Sequence, residues 1–216
     1  MIEIPDTYSI PKGIMELYGG ALPYVSNNKK RIGFLRDVFR VLENLFETDE
    51  YMKVSKAVIS DIDIIDLYNV SDRVARNYIK DLQKLFNKFD NNENYAEVKY
   101  YNYKMKIVNA RKENPTKEDT ENENRTVNED IEYENRTVKL LIIDIDKIKK
   151  VIDRALIEVE DVLEKYGRFI YEYTEFSVPG RFIGTVLRKK YSKSYKFSNT
   201  KYRFGGLNRY ILIITV

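Results

Sequence analysis

Twice in this chain a helix-period apolar stripe hands over to strand-like alternation, first across residues 71–108 and again across residues 178–216. Apolar spacing of three and four buries one face of a helix, whereas a spacing of two buries one face of a strand. A switch between the two fixes where a helix stops and a hairpin starts. A helix followed by a basic hairpin, occurring twice, predicts an α+β chain with two similar units.

The charge pattern sharpens this. Net charge is only +3, yet Glu175 is the last acidic residue, and residues 176–216 hold nine Lys or Arg. A one-sided basic field of this kind marks a polyanion partner, nucleic acid above all. The chain has no Cys and no His. That excludes disulfides, thiol catalysis and Cys or imidazole metal sites, and removes the usual general base. Residues 1–30 show no basic start followed by an unbroken apolar core, and no run approaches the roughly 20 apolar residues of a membrane span. A cytoplasmic protein is the expectation. Abundant Ile, Lys, Asn and Tyr point to an AT-rich genome, and the charge-rich, Cys-free composition is similar to that of hyperthermophilic archaea and their mobile elements.

Along the chain, residues 1–30 carry Pro5, Pro11, Pro23 and Gly19-Gly20 and read as an irregular arm with a short helix near residues 14–18. A first unit is expected over residues 31–111. Ile32, Leu35, Val38, Phe39, Leu42, Leu45 and Phe46 give an amphipathic helix. Ser60, with Asp61 and Asp63 behind it, starts a second helix that ends near Asn69, and Ser71 starts a third. Val74, Tyr78, Leu82, Leu85 and Phe89 form the inward stripe of that third helix. Val98, Tyr100, Tyr103, Met105 and Ile107 then alternate with lysines in two short strands.

Residues 112–136 contain nine acidic and four basic residues and little apolar material, so they read as a linker or long exposed loop. They include an echo in which Glu-Asn-Arg-Thr-Val at 123–127 returns at 134–138. Two copies are too few for a solenoid. Both fit the N-glycosylation pattern, which carries little weight without a secretion signal. A second unit is expected over residues 137–216. It opens with an apolar strand at 138–143, and a helix follows at about 146–166, closed by Gly167. Residues 169–176 are ambiguous between strand and helix. Ser177 and Pro179 then start another helix, followed by two strands around Gly205-Gly206.

Candidate DNA contacts follow from these placements. Arg73, Arg76, Asn77, Lys80 and Lys84 share the outer face of the third helix. Arg and Asn suit base edges, and Lys80 and Lys84 suit phosphates. Lys99 and Lys104 lie on the first hairpin. In the second unit Arg181, Thr185 and Arg188 share a helix face, followed by Lys189 and Lys190, and the hairpin adds Lys196, Lys201 and Arg203. Asp144 and Asp146 sit at a strand-to-helix junction, where Mg²⁺ carboxylates occur in nucleases, but helix capping and dipole neutralisation explain both residues. There is no Gly-rich phosphate loop followed by Lys-Ser/Thr. No enzyme activity, metal or cofactor is expected.

The order helix, helix, turn, helix, hairpin at 32–110 resembles the winged helix-turn-helix family, in which the third helix enters the major groove and the hairpin follows the backbone. Residues 138–216 resemble it without a clear middle helix. Tandem winged helices of this kind are similar to regulators of archaeal mobile elements and to archaeal replication initiators distantly like Cdt1. The resemblance implies a double-stranded DNA partner, in replication-origin recognition or transcription control, with a monomer sufficient because one chain carries two readers. The alternative is a winged-helix docking subunit of a protein assembly.

Overall fold

The computed structural model describes residues 7–11, 13–14, 27–88, 94–108, 131–178, 180–205 and 207–216, and these are mixed α+β. In chain order the elements are β1 (Thr7–Ser9), α1 (Asn27–Glu47), a 3-10 turn (Glu50–Lys53), β2 (Lys56–Ser60), α2 (Asp61–Tyr68), α3 (Asp72–Asn87), β3 (Ala96–Val108), β4 (Ile131–Asp144), α4 (Ile145–Tyr166), β5 (Arg168–Thr174), α5 (Gly180–Tyr191), β6 (Lys196–Phe204) and β7 (Leu207–Thr215). One sheet has the order β1-β2-β4-β3 and the other β5-β7-β6. The two halves therefore share a plan: helix, strand, helix, then a hairpin whose return strand inserts beside the first strand. In the first half two helices, α2 and α3, stand between strand and hairpin. In the second half α5 stands alone.

Local signals set most boundaries. The Ser60 hydroxyl accepts the Asp63 N–H at 3.1 Å to start α2, which ends where Asn69 turns left-handed at φ 46°. Asp144 accepts the Lys147 N–H at 3.0 Å to start α4. Gly167, at φ 66°, closes α4 by donating to the Leu163 carbonyl at 2.8 Å, and a side chain there would be strained. Of residues 169–176, ambiguous from sequence, 169–174 lie in strand β5. In α3 the buried row is Ala75, Tyr78, Ile79, Leu82 and Phe86, with Val74 and Leu85 half-buried at its margins. Phe89, Pro179 and residues 112–130 lie outside the described residues.

Several expectations change. Residues 98–107, expected as two short strands, lie in the single strand β3, and residues 131–136, expected in the linker, open β4. The apolar strand at 138–143 does not open the second unit. It is the distal end of β4 and returns to the first sheet, antiparallel to β2, with Ile59 opposite Leu141 and Ala57 opposite Ile143. Leu141 and Ile143 on one face and Ile142 on the other are all buried, which is why its apolar run is unbroken. The N-terminal arm is not wholly irregular, because β1 pairs in parallel with β2 and Ile10 and Ile14 are fully buried. Ile32, expected inward, is 43% exposed.

The packing also divides differently from the sequence boundaries. Residues 1–99 and 139–216 form one compact unit, and Tyr100–Val138 forms another. Within the smaller unit the Thr137 hydroxyl donates to the Asn102 side-chain oxygen at 2.7 Å. Within the larger, one core runs through both halves. Phe182 of α5 stacks on Phe39 and Phe46 of α1, with ring centroids 5.9 and 4.9 Å apart, and on Phe86 of α3 at 6.4 Å. On the inner face of the second sheet, Tyr171, Tyr173 and Tyr210 form a continuous row of ring contacts. Burial pushes the hydroxyls of Tyr171 and Tyr173 up to about 12. Tyr173 lies against Gly184 of α5, where an added Cβ would come within 2.6 Å of the ring.

A buried carboxylate also joins the halves. Glu175 accepts from Arg36 of α1 at 3.2 and 3.4 Å and from Asn208 of β7 at 2.6 Å. Burial acts to raise this carboxyl, but the hydrogen bonds and charge of Arg36 and the bonds from Asn208 outweigh it and hold it below the ordinary range. A carboxyl depressed in the folded state stabilises above its unfolded value near 4.5, and that stabilisation is lost as pH falls through the folded value. Thermal denaturation across a pH series should show Glu175→Gln less stable than the parent at pH 7 but losing less on acidification. Phe182→Ala should cost about 3–5 kcal/mol. Because the core is shared, hydrogen exchange in that variant should quicken in α1, α3 and α5 together.

Candidate nucleic-acid interface

The outer row of α3 is the clearest cationic surface. Its apolar row faces the core, so positions 73, 77, 80 and 84, spaced by four, three and four, fall on the opposite side. Arg73, Asn77, Lys80 and Lys84 are all exposed, and Arg73, Lys80 and Lys84 have no acidic partner among the described residues. Asp81, which from sequence would offset the charge of this helix, is drawn sideways to Arg31 at 2.9 Å. Asp72 is drawn to Arg76 at 3.3 Å.

Arg76 itself is spent on the fold. Its Nε also reaches Asp61 at 3.5 Å, and Asp61 is 1% exposed and accepts the Lys139 N–H at 3.0 Å. The carboxylate at the start of α2 therefore ties α3 to β4, and Arg76 neutralises it. On the hairpin, Lys99 is exposed and pairs with Glu97 at 3.0 Å. The side chain of Lys104 lies outside the described residues.

The basic C-terminal segment looks different once folded. Arg181 donates to Glu43 of α1 at 2.6 Å and to the Glu175 carbonyl at 3.0 Å, with its guanidinium 5.7 Å from the Phe39 ring centre. Thr185 is 2% exposed and its hydroxyl donates to the Arg181 carbonyl. Arg188 pairs with Glu47 at 3.5 Å, Lys189 with Asp49, and Lys190 with Glu160 of α4. Arg209 pairs with Glu172 at 3.2 Å. The face expected to point outward from α5 instead packs on α1, because Phe182, Val186 and Thr185 seek the same core that α1 closes. The expectation that Arg181, Thr185 and Arg188 form an open reading face is corrected on this ground. Arg40, Glu43, Asn44, Glu47, Tyr173, Arg181, Arg188 and Tyr210 line a mixed-charge cleft of about 320 Å³.

What stays open in this segment lies beyond α5. Lys193, Lys196, Lys201 and Arg203 are exposed and have no acidic partner among the described residues. Lys201 lies over the Tyr210 ring, 5.7 Å from its centre. Three of these four are on β6, an edge strand of its sheet. The structure thus leaves a cationic row on α3 and cations on both faces of β6, and internally neutralises the row on α5. Sequence reasoning missed Arg31 and Glu43, whose roles depend on partners far along the chain.

Comparison with protein-family models, with curated proteins and with solved structures finds no match. No described helix is long and apolar enough to cross a membrane.

The two arginines of α3 should separate cleanly. Arg76→Ala leaves a buried acceptor short of a partner and should lower stability by about 1–3 kcal/mol in denaturant titration. Arg73→Ala removes an exposed side chain and should leave stability within about 0.5 kcal/mol.

Proposed function

We propose that this chain is a double-stranded DNA-binding protein built from two winged helix-turn-helix repeats, the second lacking its middle helix. The observation that carries the reading is the outer row of α3, where Arg73, Asn77, Lys80 and Lys84 stand exposed on the second helix of a tight helix-turn-helix pair. The fold supplies supporting context. The order helix, strand, helix, helix, hairpin, with the return strand between the other two, matches the plan that presents such a helix to the major groove.

In this reading Arg73 and Asn77, nearest the start of α3, meet base edges. Arg pairs with guanine and Asn with adenine through two hydrogen bonds each. Lys80 and Lys84 meet phosphates and fix register. The second repeat contributes through β6 rather than α5, since Lys196, Lys201 and Arg203 are free of acids among the described residues and Arg181 is not. Phosphate contact by those lysines adds affinity without sequence preference. A reader and a backbone clamp on one chain favour a site read at one half and held by its phosphates at the other, which suits replication-origin recognition or transcriptional control. No membrane partner, metal or cofactor enters this reading, and a monomer suffices for it.

The test is selection of duplexes from a random pool, followed by binding measurements across a salt series. Arg73→Ala and Asn77→Ala should each cost about 1–3 kcal/mol and relax preference at one base position. Lys80→Ala and Lys84→Ala should weaken all duplexes about equally and lower the log-log salt slope by about one each. Duplex binding with no salt slope, or none at all, would favour a protein-docking subunit instead.

A further inference from the structure

The turn between β6 and β7 puts apolar surface where burial cannot reach it. Phe204 is 66% exposed and Leu207 is 39% exposed, and the two face each other in register as the last pair of the hairpin. Gly205 between them takes a left-handed φ of 58°, which tightens the turn.

The position of Phe204 is built. Glu172 on β5 accepts the Tyr202 hydroxyl at 2.6 Å and the Arg209 guanidinium at 3.2 Å. Arg209 in turn lies over the Phe204 ring, 5.0 Å from its centre. Tyr202 and Arg209 are opposite each other in register, two pairs in from the tip pair, on the same face as Phe204 and Leu207. Their hydrogen bonds hold the Glu172 carboxyl below its ordinary range, as an engaged carboxylate should be. A cation and its counter-ion thus brace one side of an aromatic ring whose other side faces solvent.

The surroundings say what the tip fits. Lys201 and Arg203 alternate with Tyr202 and Phe204 on the same edge strand and so stand on the other face of the hairpin, while Lys196 lies farther along on the face of Phe204, all exposed and without acidic partners among the described residues. An apolar tip with a cationic flank is complementary to a surface that is polyanionic outside and stackable inside. Duplex DNA is such a surface: phosphates border every base step, and the step itself accepts an aromatic or aliphatic wedge from the minor groove. We propose that Phe204 and Leu207 form a wedge that enters a base step from the minor groove, unstacks it and bends the duplex, while Lys201 and Arg203 hold the flanking phosphates. The proposal rests on the DNA-binding reading above and adds to it a deformation that α3 does not require.

The chain contains no Trp, so Phe204→Trp installs a single reporter. With a duplex obtained by selection, Phe204→Trp fluorescence should be quenched on binding, as stacking on bases requires. An end-labelled duplex should report a bend by energy transfer with the unsubstituted chain and with Phe204→Trp. Phe204→Ala and Leu207→Ala should keep the parent's unfolding temperature, since both side chains are exposed, and bind within about tenfold with the same salt slope. In both, the bend should be lost. A bound duplex that stays straight, or a Phe204→Ala variant that bends it like the parent, overturns the wedge and leaves the α3 reading intact. Absence of duplex binding overturns both. A blue shift of Phe204→Trp on vesicles of anionic phospholipid, without quenching on DNA, assigns the tip to a lipid surface and overturns the proposal too.

Discussion

One helix has to be buried from two sides, and the rest of the larger unit follows from that. Phe34, Leu35, Val38, Phe39, Val41, Leu42, Leu45 and Phe46 of α1 are all buried. That apolar surface is broader than the stripe a helix presents to one neighbour. Phe34 meets Tyr68 of α2 edge to face and stacks on Tyr78 of α3, while Phe39 and Phe46 receive Phe182 from α5. With only the first half packed on it, α1 would leave Phe46 covered by Tyr51 but not by Phe182, and exposing such a ring fully costs about 1.5–3 kcal/mol. The second repeat is therefore the other half of the core of the first, not a bead on a string.

The same contact explains the fate of the charges. A window of sequence with nine cations and no anion predicts a strong positive field only if its anions are not supplied from elsewhere. Here α1 and the turn after it supply Glu43, Glu47 and Asp49, α4 supplies Glu160, and β5 supplies Glu172. The exposed pairs among these add little stability. Their main effect is to cancel the field around α5 and leave it standing around β6. On α3 the pairing spares the outer row: Asp81 is offset by Arg31 of α1, and Asp72 pairs with Arg76 of the same helix, so Arg73, Lys80 and Lys84 keep their charge.

What could be read from the sequence was what depends on neighbours along the chain. The caps at Ser60 and Asp144, the stop at Gly167 and the second hairpin are short-range and were legible, whereas the first hairpin was not, because residues 98–107 form one strand, β3, and its partner β4 starts within the expected linker. What could not be read depends on partners far away. An apolar strand at 138–143 has the same composition whether it opens a new sheet or closes an old one, and only the pairing with β2 decides. Arg181 and Thr185 have the right spacing for an outward face, but the direction of that face is set by α1, more than a hundred residues earlier. Of the candidate site, the α3 row other than Arg76 was legible because an amphipathic helix reports its own outside. The α5 row was not, because a helix packed on two sides has less outside than its polar residues imply.

The pairing of β2 with β4 has a consequence for synthesis. Lys56–Ser60 cannot complete their ladder until Asp144 has left the ribosome, and α1 cannot lose its second wet face until α5 has followed. Contacts this distant along the chain make folding slow, because the entropy of closing the loop is lost before the contact forms. During translation α1 will therefore stand for many residues as a helix with an uncovered aromatic flank, the kind of surface that invites a chaperone or a neighbouring nascent chain. The order of the two repeats along the chain thus decides which one must wait, and the one that waits is the one that carries the α3 row.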